Sequence, residues 1–371
     1  MGDGNLKILI TGSDGFIAKN LIIELKNRGY TDLFLCNRNT LQQELEKYLK
    51  ESDVIIHLAG VNRPNKIEEF DEVNVGLTED IVSVLKKNQR GQKLLFSSSI
   101  MAIKDNPYGI SKRKAENILQ ELARETNIRV HIFRLPNVFG KWCKPNYNSV
   151  VATFCYNIAN NLEIHIHDAM AKLCLVYIDD VIEKIITSFE ENGGEIFQEI
   201  NPSYHITVGN LSNILKEFKE QRRNNKIPDI SDEFKKKLYS TYLSYLDSKD
   251  FSYPLKMNVD MRGSFTEFLH IGDGQVSINI SKPGVVKGNH WHHTKVEKFL
   301  VVKGTAKIQF RHMMTNEFVE YEVSGEKLEV VDIPIGYTHN IINIGSEDLV
   351  TVIWANESFH KEKPDTYFEV V

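Results

Sequence analysis

The chain has 371 residues, of which 42% are hydrophobic, and it can bury two ordinary cores because single cores stop growing near ~250–300 residues. Its 45 basic and 50 acidic residues give a formal net charge of -5, which argues against a polybasic surface for nucleic acid or anionic lipid. No apolar run approaches the ~20 residues that span a bilayer, and no signal-peptide core opens the sequence. These features predict a cytoplasmic protein that binds neither nucleic acid nor membrane.

The cysteine content limits the kinds of metal site and crosslink to consider. None of the four cysteines has C-x-x-C spacing, and two lie in apolar segments, which favours buried thiols over disulfides or thiolate ligands. They are Cys36, Cys143, Cys155 and Cys174. Metal ligands should therefore be sought among histidines and carboxylates.

The first two thirds of the sequence alternate short β-branched runs with longer amphipathic segments, which is typical of βαβ units around a parallel sheet. The β-branched runs are Leu6–Ile10, Leu33–Leu35, Val54–Leu58, Leu94–Ser97 and Val130–Arg134. Two more amphipathic segments follow from Ile206. The pattern predicts a Rossmann-type, doubly wound α/β domain over residues 1–245.

Beyond residue 254 the sequence changes to short strands with period-two alternation, each bounded by glycine or proline. Several such strands in ~115 residues predict a small β-barrel or jelly roll. The boundary is placed near residues 246–254, so the second predicted domain is all-β and covers residues 246–371.

A glycine-rich turn, TGSDGFIAKNL, follows the first predicted strand. Gly12, Gly15 and Ala18 permit a tight turn, so that backbone N–H groups at the start of the next helix can approach a pyrophosphate. Phe16 and Ile17 belong to that first helical turn. Because glycine-rich turns are frequent, the position after the first strand is what predicts a dinucleotide site.

The end of the second predicted strand bears on the choice of cofactor. Folds that prefer NAD usually place an acidic residue there for the ribose 2′-hydroxyl, but this chain has Asn37 and Arg38. Because an arginine can pair with a 2′-phosphate, NADPH is favoured over NADH. The alternative is that Arg38 is a solvated surface residue.

Tyr108 and Lys112 have the Y-x-x-x-K spacing that puts both side chains on one face of a helix. An ammonium close to a phenol stabilises the phenolate, so that tyrosine can exchange a proton with a carbonyl oxygen near neutral pH. Upstream, the strand LLFSSS ends in three serines. Ser99 best suits a hydrogen bond to the same oxygen, with Ser98 as the alternative.

Together with DVIIHLAG and RLPNVFG, these motifs resemble the extended short-chain dehydrogenase/reductases that act on nucleotide sugars, over residues 1 to about 245. The resemblance implies that Tyr108 is the proton donor, that Lys112 contacts it and the nicotinamide ribose, and that Ser99 orients the carbonyl. It also implies a homodimer. Further cofactor-lining residues implied in this way are Leu58, Ala59, Gly60 and Asn74.

The loop between Ser99 and Tyr108 has only eight residues, whereas many relatives carry a longer one. We therefore expect an active site that is more open or that another part of the protein completes.

Seven of the twelve histidines lie after residue 269, and three of them fall in NHWHHTK. His290 and His292 are two apart on a predicted strand and so share a face, and Glu297 returns on the adjacent strand. A second motif, IPIGYTHNIIN, adds His339. Three imidazoles and one carboxylate predict a site for a divalent ion such as Zn²⁺. His293 competes with His292, because a local bulge would exchange them.

The two histidine motifs resemble those of the cupin family over roughly residues 255–371, which implies a barrel holding a divalent metal, with zinc as the expected ion. The alternative is a metal-free barrel whose histidines line a polar pocket. The segment NVDMRGSFTEF resembles the opening of deoxysugar-nucleotide 3,5-epimerases, which are also cupins. That likeness implies that Arg262 and Glu267 bind the nucleotide sugar, whereas otherwise they would be a cross-strand surface pair.

The whole chain resembles a family of bifunctional capsular polysaccharide enzymes that join both domain types. That resemblance implies metal-dependent C3 epimerisation of a UDP-2-acetamido-2,6-dideoxy-4-keto hexose, followed by NADPH-dependent reduction at C4. The expected product is UDP-2-acetamido-2,6-dideoxy-L-talose. Candidate substrate contacts around RLPNVFG and the segment after it are Asn137, Asn146, Tyr147 and Asn148, although Tyr147 could equally be a packing aromatic.

Two other functions are compatible with part of the pattern. One is a cupin 3-epimerase whose reductase-like domain is structural, and the other is a non-enzymatic NADPH sensor with a cupin module. The intact Tyr108 and Lys112 pair argues against both. The general base for epimerisation is unassigned, with other pocket histidines, Tyr337 or Lys307 as candidates.

Overall fold

The computed structural model describes residues 6–88, 90–191, 193–358, 362 and 364–371. The chain divides into two compact units. The first contains residues 1–216 and 233–247, and the second contains residues 217–232 and 248–371. Across the residues that the structure describes, no helix has the length and apolar character needed to cross a membrane.

The first unit is built from short strands that alternate with helices. Its strands are β1 (Ile8–Thr11), β2 (Leu33–Cys36), β3 (Val54–His57), β4 (Lys93–Ser99), β5 (Arg129–Leu135), β6 (Asn137–Phe139), β7 (Lys172–Tyr177), β8 (Phe197–Gln198) and β9 (Tyr204–Thr207). Its helices are α1 (Phe16–Asn27), α2 (Gln42–Glu51), α3 (Leu77–Asn88), α4 (Pro107–Glu125), α5 (Val150–Ala159), α6 (Ile178–Glu190), the first part of α7 (Val208–Arg223) and α8 (Glu233–Leu243).

Six strands form a parallel sheet in the order β2-β1-β3-β4-β5-β8. Alternate residues along each strand point to opposite faces, so β1 buries Ile8 and Ile10 against α1 and α6. Leu9 packs on the other face, against α2, α3 and α4. Helices therefore cover both faces, and the continuous apolar strands are those expected of a sheet buried on two sides.

Strand β1 pairs with both β2 and β3, so the chain crosses the sheet at β1 between these strands. Ligands of open parallel sheets bind outside the carboxyl ends of the strands at such a crossover. The turn after β1, beginning at Gly12, and the loop after β3, beginning at Leu58, meet at this edge. The fold thus brings the predicted dinucleotide motif to the position where this architecture binds nucleotides.

The second unit consists almost entirely of strands. They are β10 (Lys226–Ile227), β11 (Met257–Asp260), β12 (Gly263–Ile271), β13 (Gly274–Ser281), β14 (Val286–Trp291), β15 (Glu297–Lys303), β16 (Thr305–His312), β17 (Phe318–Ser324), β18 (Val330–Ile333), β19 (Tyr337–Asn343), β20 (Leu349–Ala355) and β21 (Tyr367–Phe368). They form a seven-stranded sheet containing β15 and β20 and a five-stranded sheet containing β14, β16 and β19.

The two sheets of the second unit share one apolar core. Phe299 and Val301 from the first sheet pack with Ile308, Phe310 and Ile341 from the second. Strand β13 differs from this pattern because its buried positions are polar. Those positions are Gln275, Ser277, Asn279 and Ser281. The interior is therefore apolar along β15 and β16 and hydrophilic along β13.

The predicted fold class is confirmed, since a doubly wound parallel sheet is followed by an all-β region. The division into compact units assigns residues 217–232, including β10, to the second unit. Strand β10 pairs in parallel with β12 there. The domain limits of 1–245 and 246–371 stay a prediction from the sequence.

The short loop before Tyr108 leaves no room for a side chain at Gly109. A Cβ there would lie 2.5 Å from the Lys104 carbonyl oxygen and closer still to that of Met101. We expect Gly109→Ala to lower the free energy of unfolding by about 1–3 kcal/mol, because neighbouring backbone must shift. Urea denaturation followed by circular dichroism measures this.

Gly91→Ala is the matched control, because a Cβ added at Gly91 would have no described atom within 4 Å. It should be neutral or slightly stabilising through the unfolded chain. Equal destabilisation by both substitutions would contradict the close approach seen at Gly109.

Candidate functional site

The turn after β1 has the geometry of a phosphate cradle. Gly12 has φ +69°, and a Cβ there would lie 2.8 Å from Cα and N of Ala59, so only glycine fits. Gly15 is the N-cap of α1, and no side chain caps that end. Phe16 and Ile17 form the first turn. The first N–H groups of α1 are therefore available to an anion.

Asn37 and Arg38 follow β2 and are both exposed. The Asn37 side-chain oxygen accepts a 2.9 Å hydrogen bond from the Asn39 backbone N–H, which closes a turn. The Arg38 guanidinium makes no hydrogen bond or ion pair within the described part of the chain. It is therefore accessible to a ligand at the end of β2.

The side chain of Asn74, which lies in a π-helical turn, Phe70–Gly76, forms hydrogen bonds with the loop after β3. Asn74 is 1% exposed; its side chain accepts from the Val61 N–H at 2.8 Å and donates to the Val61 carbonyl and to Ser111. Its hydrogen bonds thus go to the protein, and it positions the loop of Leu58, Ala59 and Gly60. A Cβ on Gly60 would approach Lys112 Nζ to 3.2 Å.

Lys112 is 4% exposed and lies beneath the candidate active site. Its ammonium donates a 2.9 Å hydrogen bond to the Ser97 carbonyl and lies 4.8 Å from the centre of the Phe96 ring. Burial lowers the pKa of Lys112 to about 8, although Glu116 acts in the opposite direction. A cation is therefore held close to Tyr108, which is one helical turn away on α4.

Tyr108 occupies the first turn of α4, which begins at the N-cap Asn106. Burial raises the pKa of Tyr108, and a hydrogen bond with the Ser99 side chain opposes that effect. Ser99 is the last residue of β4. The structure thus brings Ser99, Tyr108 and Lys112 together at the carboxyl end of the central strand.

Ser98 faces the opposite side of β4 from Ser99. Its hydroxyl lies 2.5 Å from Glu116 Oε1, and Glu116, only 1% exposed, also pairs with Arg134 at 2.6 Å. Ser98 therefore belongs to a buried ionic network that ties α4 to β5. The sequence analysis missed this network, because Ser98, Glu116 and Arg134 are too far apart in the sequence to form a local pattern.

Two of the candidate substrate asparagines bond to nearby protein groups. Asn137 donates to the Cys174 carbonyl at 3.2 Å, and Asn146 donates to Asn157 at 3.3 Å. Both asparagines are exposed. Asn146 adopts a left-handed conformation with φ 53°, which fixes the turn before α5.

Tyr147 and Asn148 form a basic, aromatic surface together with Arg63, a residue that the sequence analysis did not identify. The Tyr147 ring is 40% exposed, with Lys144 Nζ 5.3 Å and the Arg63 guanidinium 6.0 Å from its centre. Arg63 also donates to the Asn148 side chain at 3.3 Å. An exposed ring flanked by two cations suits a flat, anionic ligand such as a nucleotide.

In the second unit, four side chains converge within the barrel. His290, His292, Glu297 and His339 each offer one ligand atom, and these four atoms lie within 4.8 Å of one another. His290 is on β14, directly opposite His339 on β19. Glu297 begins β15. His292, Glu297 and His339 are buried, and His290 is half-buried.

The donor atoms of this cluster lack protein partners, which fits a cation. His292 Nε2 and both ring nitrogens of His339 are buried without a hydrogen bond among the described residues. Glu297 Oε2 lies 3.6 Å from His292 Nε2 and 3.5 Å from His339 Nε2, which is too far for good hydrogen bonds. Three imidazoles and a carboxylate are a ligand set that zinc and similar divalent ions accept.

The pKa shifts of His290 and Glu297 favour the protonation states of these two groups that bind metal. Burial lowers the pKa of His290 to about 3, and the neighbouring His339 and His292 act in the same direction. Although burial would raise it, the pKa of Glu297 is held well below its usual range by contacts with His292 and His339 and by the charge of Lys295. Neutral imidazoles and an ionised carboxylate are the forms that bind metal.

His293 points away from this cluster. Its ring packs edge-on against Trp291 and Tyr367, at 4.5 Å and 4.9 Å. The sequence left open whether a bulge would exchange His292 and His293. The structure has a bulge at Asn289, before both residues, where β14 shifts register against β19. It leaves His290 and His292 directed to the same side.

Of the candidate bases, Tyr337 lies two residues from His339 on the same face of β19, and Lys307 lies on β16. Lys307 pairs with Glu320 at 2.8 Å, and the Tyr337 ring packs against His312. Lys295, which the sequence analysis missed, has its Nζ 3.3 Å from Glu297 Oε1 and a side chain only 12% exposed. The sequence feature that could have indicated Lys295 is its position two residues before Glu297.

Arg262 and Glu267 do not pair with each other. The Arg262 guanidinium bonds Asp260 at 2.6 Å, and Glu267 lies 3.7 Å from His270. Both side chains are at least 40% exposed. Arg262 directly precedes β12 and Glu267 lies in its middle, and the Arg262 guanidinium is accessible to an anionic ligand.

Comparison with known proteins covers both units. The model of the NAD dependent epimerase/dehydratase family matches residues 8–209, and that of the polysaccharide biosynthesis C-terminal domain matches residues 258–367. A UDP-2-acetamido-2,6-beta-L-arabino-hexul-4-ose reductase of Pseudomonas aeruginosa is 44% identical over 364 residues, which is 98% of each chain.

The same correspondence is seen among solved structures. The capsular polysaccharide assembling protein CapF of Staphylococcus aureus is 50% identical with a TM-score of 0.92, over 99% of this chain and 100% of that one. RMD of Pseudomonas aeruginosa, solved with NADPH, is 19% identical with a TM-score of 0.52. It covers 58% of this chain and 83% of its own length, and at that identity it shows the fold alone.

The buried Lys112 ammonium predicts a pH dependence of stability. The pKa of Lys112 falls from 10.5 to about 8 on folding, so the unfolded chain binds the proton more tightly. Stability should therefore rise with pH, and wild type should gain about 3 kcal/mol relative to Lys112→Met between about pH 7 and pH 10.5. Urea titrations of both proteins without cofactor measure this difference, and a gap independent of pH would contradict it.

Proposed function

Since this chain belongs to the NAD dependent epimerase/dehydratase family, we propose that it is a bifunctional enzyme of capsular polysaccharide synthesis acting on a UDP-sugar. Its second unit epimerises C3 of a UDP-2-acetamido-2,6-dideoxy-4-keto hexose, and its first unit then reduces the C4 ketone with NADPH. The product is UDP-2-acetamido-2,6-dideoxy-L-talose, a precursor of UDP-N-acetyl-L-fucosamine. The name of the P. aeruginosa reductase supports reduction of a UDP-linked ketosugar, and that of CapF supports a role in capsular polysaccharide synthesis.

The observation that carries the reductase activity is the grouping of Ser99, Tyr108 and Lys112 at the edge where the glycine turn lies. Ser99 and the Tyr108 hydroxyl both bond the substrate C4 oxygen, and Tyr108 donates its proton there. The Lys112 ammonium stabilises the resulting phenolate, because opposite charges in a buried site interact strongly. When bound, NADPH supplies the hydride for C4.

The residues that follow β2, Asn37 and Arg38, favour NADPH over NADH. Arg38 is exposed, and neither Asn37 nor Arg38 offers the acidic side chain that would bind a free ribose 2′-hydroxyl. A guanidinium pairs instead with a 2′-phosphate. The pyrophosphate would be held by the backbone around Gly12 and Gly15 and by the first turn of α1.

The epimerase activity is assigned to the cupin-like barrel of the second unit, where His290, His292, Glu297 and His339 would hold a divalent ion, with zinc as the expected metal. When bound, the ion supplies positive charge that stabilises an enolate. A C4 ketone acidifies the hydrogen at C3, so a base can remove it and a proton can return on the opposite face. Lys295 is the charged side chain placed to contribute at the edge of the cluster.

The substrate is recognised by groups of each unit. In the first unit, Tyr147 flanked by Arg63 and Lys144 would bind the nucleotide, and Asn137, Asn146 and Asn148 would be further substrate contacts. In the second, Arg262 and Glu267 would contact the nucleotide sugar. We further propose that the enzyme is a cytoplasmic homodimer.

A pair of variants separates the two activities. Tyr108→Phe removes the proton donor, so NADPH oxidation followed at 340 nm should fall about 10²–10⁴-fold, whereas solvent deuterium uptake at C3 continues. His290→Ala or chelation should instead abolish deuterium uptake at C3 while NADPH binding is retained.

The same measurements test the alternatives. NADPH oxidation that is absent in wild type would leave only an epimerase with a structural reductase-like unit. Deuterium uptake that persists in metal-free protein would rule out a catalytic metal. If neither reaction occurs with the ketosugar, the proposed function is wrong.

The two adjacent serines give a matched comparison. Ser99→Ala removes a hydrogen bond to the reacting oxygen and should lower kcat about 10²–10³-fold; because Ser99 Oγ also accepts from the Met101 N–H at 3.1 Å, it should cost about 0.5–2 kcal/mol of stability as well. Ser98→Ala instead removes the hydrogen bond from the Ser98 hydroxyl to the buried Glu116 carboxylate. It should lower the free energy of unfolding by about 1–3 kcal/mol, whereas kcat should stay near the wild-type value. Steady-state kinetics and urea denaturation of both variants distinguish these outcomes, and the reverse pattern would exchange the roles.

A further inference from the structure

The connection between β14 and β15 carries one candidate metal ligand and leads directly to another. It runs from His292 to Val296, and Glu297 follows it. Three consecutive backbone N–H groups in this connection, at residues 293–295, point to one carboxylate instead of to a neighbouring strand. Consecutive N–H groups of this kind form a concave anion site.

That carboxylate belongs to Asp365, about 70 residues later in the chain. It accepts hydrogen bonds from the N–H groups of His293 at 2.9 Å, Thr294 at 2.7 Å and Lys295 at 2.8 Å. The Thr294 hydroxyl adds a fourth at 3.1 Å. Charge-assisted hydrogen bonds to one carboxylate fix the path of the connection.

The backbone of Asp365 also determines the orientation of His292. Its carbonyl accepts a hydrogen bond from His292 Nδ1. A proton on Nδ1 leaves the Nε2 lone pair free, and Nε2 is the ring atom that lies 3.6 Å from Glu297 and has no other partner among the described residues. Partners of this kind fix the tautomer and ring orientation of metal-binding histidines.

The residues after Asp365 anchor it to the ligand-bearing strands. The segment Asp365–Val371, here called the strap, pairs with β14 through β21, and the Tyr367 ring lies 5.1 Å from Trp291. Arg311 on β16 bonds the Glu369 carboxylate at 2.9 Å. The hydroxyl of Thr338, which precedes His339, donates to the Glu369 carbonyl.

We propose that Asp365 is a positioning residue for the metal centre and that the strap sets its affinity by holding His292 in its ligating orientation. This inference rests on the metal site of the proposed function. Asp365 touches no candidate ligand atom that faces the ion: its carbonyl bonds His292 Nδ1, and its carboxylate holds the neighbouring backbone so that this bond forms. If the strap only covered the end of the barrel, substitutions in it would change the stability of the fold but would have no effect on zinc affinity that depends on His292.

The test is a double-mutant cycle on zinc affinity in the full-length chain, measured by competition with a chromophoric chelator. Asp365→Ala keeps the backbone carbonyl but removes the carboxylate that holds it against His292, so it should weaken zinc binding by up to about 10–100-fold, the range for loss of the outer partner of a ligating histidine. His292→Ala should weaken it as well. In the His292→Ala background, Asp365→Ala should cause no further loss, because its effect passes through that ring.

Asp348→Ala is the control, because Asp348 makes an exposed ion pair with Lys282. It precedes Leu349 at the start of β20, whereas Glu297 pairs with Ala355 at the other end of that strand. The variant should bind zinc as wild type does. Circular dichroism and thermal melts without metal establish that each variant folds. If Asp365→Ala does not fold, Asp365→Asn, which keeps one acceptor oxygen, provides the same comparison.

Three results would overturn the inference in different ways. Unchanged affinity in Asp365→Ala, with zinc still bound by wild type, would show that the strap does not act on the metal. An equal loss with and without His292 would show a general structural effect. Failure of wild type itself to bind zinc would instead remove the metal site of the proposed function.

Discussion

The second unit depends on the cost of burying imidazole and carboxylate groups without partners. His292 Nε2 and both nitrogens of His339 lie in the interior with no hydrogen bond among the described residues, and Glu297 is ionised beside them. An unsatisfied buried polar group costs about 1–3 kcal/mol, and here several occur at one point. A proposed divalent ion would take up His292 Nε2, one nitrogen of His339 and the Glu297 carboxylate together, which a set of unrelated packing compromises does not.

The same constraint shapes the first unit in a different way. Lys112 is a buried cation, and its ammonium is stabilised by the Ser97 carbonyl and the face of Phe96 rather than by a carboxylate within hydrogen-bonding distance. Gly60 leaves the space that this ammonium needs. Because Lys112 is not neutralised by a close ion pair, its charge remains available to a phenolate on Tyr108. Each unit therefore buries polar groups at a cost in free energy, and these are the groups that the proposed catalysis uses.

The sequence predicted the features that depend on local periodicity and missed those that depend on distant contacts. Alternating strands and helices predicted the doubly wound sheet, and the spacing of Tyr108 and Lys112 placed both on one helical face. In contrast, no local pattern indicated that the Asn74 amide bonds to Val61 and Ser111; that Asn74 lines the cofactor stays a prediction. Asp365 lies some 70 residues from the connection it caps, so no local pattern could reveal it.

The chemistry requires a fixed order for the two proposed activities. Only a C4 ketone makes the hydrogen at C3 acidic, so reduction at Tyr108 ends any further epimerisation. A reductase site that accepted the substrate before epimerisation would divert it irreversibly into the wrong sugar. The reductase pocket must therefore discriminate the configuration at C3 by contacts to the sugar ring, since the nucleotide is the same before and after. Selection must come from groups beside Ser99 and Tyr108 and not from the Tyr147 and Arg63 surface, where the nucleotide would bind.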